Sequence, residues 1–169
     1  RWHTKLTVLC YLGFSTSTGM AVIASVSPTR YHVYLAFGGL VLAWVFKLLW
    51  WQRASSTGVS HDGSTTATAT GLTGFSSVKL FEKPHMTQNY LMTEMVFEIG
   101  RKHAARLRQI ALLAGGLLPF ICLGLAIMTG QTAGFVMLSC VMHLIGVGVE
   151  RWLFFAEAEH VVSLYYGKG

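Results

Sequence analysis

Four long apolar runs divide the chain, at 6–26, 33–50, 110–129 and 134–155. Each is close to the roughly 20 helical residues needed to cross a hydrocarbon core of about 30 Å. Backbone N–H and C=O groups in lipid must be bonded within the segment, so helices are the expected form. Pro28 closes the first run, and Thr129, Gly130 and Gln131 form a tight turn between the last two. The expected fold is all-α, a polytopic bundle of four transmembrane helices.

The long connection between the second and third runs has two parts. Residues 51–77 are dominated by Ser, Thr, Gly and Ala and carry too little bulky apolar surface to fold alone, so a flexible surface loop is expected. Residues 78–108 regain a pattern. Leu91, Met92, Met95, Val96, Ile99 and Leu107 recur at helical spacing, and Glu98 precedes Arg101 and Lys102 by three and four residues. This predicts an amphipathic, basic helix that lies at the membrane surface or feeds into the third span. The expected organisation is two spans in 1–50, the loop in 51–77, the basic segment in 78–108, then two spans and a tail in 109–169.

Composition agrees with lipid as the solvent. The chain is 53% hydrophobic with mean hydropathy +0.51, and the 12% that is charged is too little to cover a soluble surface. Its first residues show neither an initiator methionine nor a signal-cleavage pattern, so the N-terminal part of a longer protein is expected to precede them. The net charge of +6 flanks apolar spans and lines no face with interleaved aromatics, which argues for membrane lipid as its partner and against nucleic acid. Arg53, Lys79, Lys83, Arg101, Lys102, Arg106 and Arg108 all fall in the 51–108 connection, against Arg30 alone in the opposite turns. The positive-inside rule then puts the long connection and both ends in the cytoplasm.

Small residues mark where helices can approach. Ser15, Thr16, Ser17, Thr18 and Gly19 in the first span, Gly38 and Gly39 in the second, and Gly115 and Gly116 in the third are expected at helix contacts. Pro119 should bend the third span, because it removes one helical hydrogen bond.

Candidate chemistry concentrates in the fourth span. Ser139, His143, Gly146, Glu150 and Glu157 follow one another at steps of four, three, four and seven, which stacks them on one helical face. Ionisable groups at membrane depth are costly, so His143 and Glu150 are candidates for proton handling beside a quinone. The alternative is packing, with Glu150 paired to Lys47, which lies at similar depth, or to Arg151. His85 and His103 flank the basic helix and could meet headgroups, a neighbouring protein of the same complex or a quinone ring. Cys10, Cys122 and Cys140 are isolated, with no metal-ligand spacing, and only His143 is clearly inside a span, so neither an iron–sulfur cluster nor a haem is expected in this chain. No phosphate-cradling Gly loop, nucleophile elbow or H-E-x-x-H supports hydrolase or kinase chemistry.

Three blocks carry a family resemblance: RWHTKLTVLCYLGFSTSTG; the stretch from TGLTGFSSVKLFEKPHMTQNYL to RKHAARLRQIALL; and ERWLFFAEAEHVVSLYYG. Together they resemble the C-terminal half of the membrane-anchor subunit of dimethyl sulfoxide reductase, the DmsC-type family. The resemblance implies the last four of eight spans in a bacterial inner-membrane subunit. Such a subunit oxidises menaquinol or ubiquinol and passes electrons to an iron–sulfur subunit, which serves a molybdopterin catalytic subunit. It also implies that the anchor holds no haem or cluster. On this reading the quinol-site candidates here are His103, Arg106, His143 and Glu150. The family's topology and the charge count point to opposite sides of the membrane, and the side stays open.

Overall fold

The computed structural model describes residues 4–56, 65–74, 78–79, 81–82, 102–130 and 132–157. Among them all regular structure is helical. The helices are α1 (Lys5–Val26), α2 (Arg30–Ser56), a short α3 (Thr66–Thr70), α4 (Ala104–Leu112), α5 (Leu118–Thr129) and α6 (Thr132–Ala156). A turn of π-helix, Leu113–Leu117, joins α4 to α5 without a break. Most of the predicted amphipathic helix, with His85, Glu98 and Arg101, lies outside the described residues.

Local chemistry explains the ends. Thr4 caps α1 by accepting from the Thr7 N–H, and Pro28 follows soon after Val26. Gly130 closes α5 at φ +71°, a left-handed conformation that glycine adopts without strain. Two boundaries differ from the sequence expectation. α2 continues past Trp50 to Ser56, so Trp51 and Arg53 are helical. The third span begins at Ala104 rather than 110, so Arg106 and Arg108 ride on the first turns of the spanning helix itself. The part of the connection expected to be loop also holds α3, with Thr65 and Thr68 forming a reciprocal capping box.

Four helices are long and apolar enough to cross a membrane: α1, α2, the continuous α4–α5 rod and α6. They pack as a ring in which α1 touches α2 and α6, and α5 touches α2 and α6. The short 27–29 and 130–131 connections make successive spans antiparallel, so the start of α1 and α4 and the end of α2 and α6 share one rim.

The distribution of side chains is that of a bundle in lipid. Ala24, Ala36, Ala43, Ala111 and Ala126 are buried, while Val8, Leu12, Ile23, Leu42, Leu48 and Ile145 face outward. Lipid tails are as apolar as Leu, so the large residues gain nothing by going inside and the small ones let backbones approach. The expectation of small residues at helix contacts resolves residue by residue. A Cβ on Gly39 would meet Met20 Sδ at 2.9 Å, whereas one on Gly38 would meet nothing within 4 Å. The chain is a multi-pass membrane protein.

Candidate functional site

The predicted face of α6 points inward along its whole length. Ser139, His143, Glu150 and Glu157 are all buried, and Gly146 with them. Their polar contacts do not form one continuous path, however. Those of Ser139, His143 and Glu150 form two nests, separated where Gly146 meets Gly115 and the Trp44 ring packs against Gly115 and Gly116, and Glu157 pairs separately at the rim.

The nest nearer the cationic rim is a triad of charges. Glu150 is ion-paired through Oε1 to Lys47 Nζ, and its Oε2 accepts from Arg151 Nε at 2.5 Å. Lys47 is 1% exposed and Glu150 0%. Glu150 is thus paired to both of the partners that the packing alternative named. Lys47 lies roughly 13 Å inside the end of α2 and Glu150 roughly 9 Å inside the end of α6, at 1.5 Å per residue, so the pair is below the rim on both helices. Aromatic faces take over where carboxylate oxygens are lacking. Lys47 Nζ is 4.1 Å from the Trp50 ring centroid, and the Arg151 guanidinium is 4.3 Å from Tyr11 and 5.0 Å from Phe154. Two cations against one carboxylate leave the triad with one net positive charge.

The deeper nest is built on a backbone carbonyl. In an α-helix the N–H of residue 119 would bond the carbonyl of residue 115, and Pro119 has no N–H to give. Gly115 itself sits in the π-turn, Leu113–Leu117, which ends two residues before Pro119. Gly115 O instead accepts from Trp44 Nε1 at 2.8 Å and His143 Nδ1 at 2.7 Å. The other ring nitrogen of His143 lies 3.0 Å from Ser17 Oγ, and Ser17 Oγ is 3.1 Å from Phe14 O. Ser139 donates to Pro119 O at 3.3 Å. Three spans therefore meet at one carbonyl oxygen, and α1 joins them through the Ser17–His143 contact.

His103 and Arg106 are elsewhere. Both are exposed at the rim where α4 begins, and neither approaches His143 or Glu150, which are sealed in the core. Arg108, on the same helix, donates from Nε to Glu157 Oε1 at 2.6 Å and ties the start of the third span to the end of the fourth.

This chain resembles the C subunit of the sulfite dehydrogenase of Allochromatium vinosum. The two are 29% identical over 172 residues, covering 98% of this chain and 51% of the relative. The chain thus spans about half the length of the curated relative it matches. No family model matches the chain. No solved structure matches it.

Spacing on α6 identified the inward face, but it did not identify Ser17 or Trp44 as partners of that face. Ser17 was one hydroxyl in a run of small polar residues with nothing to single it out. The one available signal was Pro119 placed four residues after Gly115, which frees a carbonyl at membrane depth and so calls for donors from neighbouring helices.

Proposed function

We propose that this chain is a membrane-embedded part of an oxidoreductase complex that exchanges electrons with the quinone pool. Following the resemblance to dimethyl sulfoxide reductase anchors, it oxidises menaquinol or ubiquinol at a bacterial inner membrane. The electrons go to an iron–sulfur subunit and from there to a molybdopterin catalytic subunit. The relative is named as one subunit of a dehydrogenase, which supports a place in a multi-subunit redox enzyme. A dehydrogenase sends electrons the other way, from substrate toward the pool, and the residues of this chain would serve either direction.

The observation that carries the reading is the Lys47–Glu150–Arg151 triad. A helix bundle that only anchors a partner needs no ions in its core, and ionisable groups at this depth mark proton or substrate pathways by default. In the proposed division of labour, His103 and Arg106 meet the quinol headgroup or a neighbouring protein of the complex at the rim, and His143 and Glu150 handle protons inside. On this reading the chain itself holds neither haem nor cluster.

A second reading, a scaffold with no direct quinol role, is favoured by a specific observation. Glu150 is claimed by two cations, and both ring nitrogens of His143 already have partners. Turnover per assembled complex separates the two readings. The complex carrying His103→Ala with Arg106→Gln, two exposed changes, should assemble in normal yield and oxidise quinol at least tenfold more slowly, with electron transfer from an artificial donor to the molybdopterin subunit intact. Normal quinol turnover in that complex removes the rim from the site, and reduced yield with normal turnover supports the scaffold.

A further inference from the structure

We propose that His143 and Ser17 form a proton-exchange site in which the Ser17 hydroxyl is the moving part. The inference deepens the role given to His143 above and rests on that reading.

What each partner can donate or accept fixes where the ring protons sit. A carbonyl oxygen only accepts, so the contact between His143 Nδ1 and Gly115 O at 2.7 Å requires a proton on Nδ1 in every state. The variable position is Nε2, which faces Ser17 Oγ at 3.0 Å. A hydroxyl carries one proton and can point it at Phe14 O, 3.1 Å away, or at Nε2. When Nε2 is protonated it donates to Ser17 Oγ, and Ser17 donates to Phe14 O. When Nε2 is bare it accepts the Ser17 proton, and Phe14 O keeps only its backbone partner. Both states leave every ring nitrogen hydrogen-bonded. They differ by one proton on Nε2, taken from or returned to solvent water as the pH changes, and by one rotation of the Ser17 hydroxyl.

The surroundings hold the ring still while this happens. Gly115 O is available because Pro119 lacks the N–H that would occupy it, and the Trp44 indole fixes that oxygen from the other side. His143 is 1% exposed and tilts against Phe14. Among the described residues the buried titratable or charged groups on the packed elements are Cys10 of α1, Lys47 of α2, Cys122 of α5 and Cys140 and Glu150 of α6, with Arg151 partly buried beside Glu150. Lys5, Tyr11, Arg30, Tyr31, Tyr34, Arg53, Arg106 and Arg108 are exposed, and His32 lies in the first turn of α2 at the opposite end from Lys47. The triad among them lies beyond the Gly115–Gly146 contact. The ring can therefore change charge without breaking an ion pair. Ser17 is a positioning residue here, acting through His143.

The test is the ring nitrogen spectrum of His143 in the full chain, with 15N-labelled histidine, in phospholipid vesicles from pH 5 to 9. The signal is recognised by its shielding from an aqueous paramagnetic ion and by its loss in His143→Gln. Nδ1 should stay protonated throughout while Nε2 passes between protonated and bare with a single midpoint. Ser17→Ala should lower that midpoint by about one pH unit, because the charge-assisted bond lost from the protonated form is the stronger of the two. Ser17→Thr should restore it. A ring that keeps one state over the whole range, a proton on Nε2 with Nδ1 bare, or a midpoint unmoved by Ser17→Ala would each overturn the proposal. The measurement uses no quinol, so its failure is distinct from a failure of the quinol reading.

Discussion

Gly146 rests on Gly115 backbone to backbone. A Cβ added at position 146 would stand 2.1 Å from both the Cα and the N of Gly115. Neither backbone can yield, because Gly115 is held by Trp44 and His143 through its carbonyl. Gly146→Ala should therefore destabilise the bundle by about 3 kcal/mol or more, at or above the upper end of ordinary overpacking. Gly148→Ala, two residues along, meets nothing within 4 Å and should be neutral or gain up to ~1 kcal/mol from helix propensity. Unfolding of the two variants in mixed detergent micelles, followed by circular dichroism, checks the contrast.

Two indoles with buried N–H groups offer a second contrast. Trp44 Nε1 donates to Gly115 O, whereas Trp51 Nε1 is buried with no hydrogen-bond partner among the described residues. Replacing either by Phe removes similar ring area but a different polar balance. Trp44→Phe should cost about 1 kcal/mol more than Trp51→Phe, the net worth of a typical buried hydrogen bond. Equal losses in the same unfolding assay would place the Trp44 contribution in packing alone.

How far these contacts were legible beforehand depends on their range. Apolar run length located all four spans, because bilayer thickness imposes it on the sequence directly. The inward face of α6 was readable from Ser139 to Glu157, since helical period is local, and the Lys47–Glu150 pair followed from counting depth along two helices that end at the same rim. The Ser17–His143 contact was not readable: 126 residues separate the two, and which hydroxyl of the run faces inward depends on how α1 rotates against α6. The start of α4 at Ala104 was also missed. Arg106 and Arg108 read as an interfacial segment by charge, and helix continuity into the span is decided by the hydrogen-bond ladder rather than by polarity.

Arg108 and Glu157 form a clasp at the rim. The arginine side chain is 44% exposed and the glutamate 7%. Glu157 follows the C-terminal end of α6, where a carboxylate opposes the helix dipole, so Arg108 compensates a local cost as well as joining two spans. Because the pair is half in water, Arg108→Gln should cost no more than about 1 kcal/mol. The exchange Arg108→Glu with Glu157→Arg should recover at least the wild-type midpoint, since it also puts the cation at the helix C-terminus. A double mutant no more stable than the singles would show that the contact contributes nothing to the fold.

The triad makes the most asymmetric prediction. Lys47→Met leaves Glu150 paired with Arg151, a neutral remainder, and fills the vacated volume with an apolar chain among Trp50, Trp51 and Phe154. Replacing part of a buried ionic cluster this way is often close to neutral, so a loss of about 1 kcal/mol or less is expected. Glu150→Gln does the opposite. It removes the one carboxylate and leaves the buried Lys47 and the partly buried Arg151 as two cations facing an uncharged amide. Stranding buried charge costs about 3–5 kcal/mol, and adding Lys47→Met to Glu150→Gln should recover part of that loss by lowering the uncompensated charge from two to one. Thermal midpoints of the two single variants and the double in the same lipid would then rank Lys47→Met above the double and the double above Glu150→Gln. If Lys47→Met proved the most damaging of the three, the lysine would be holding the helices through its packing, and charge balance would not be what sets the stability of this core.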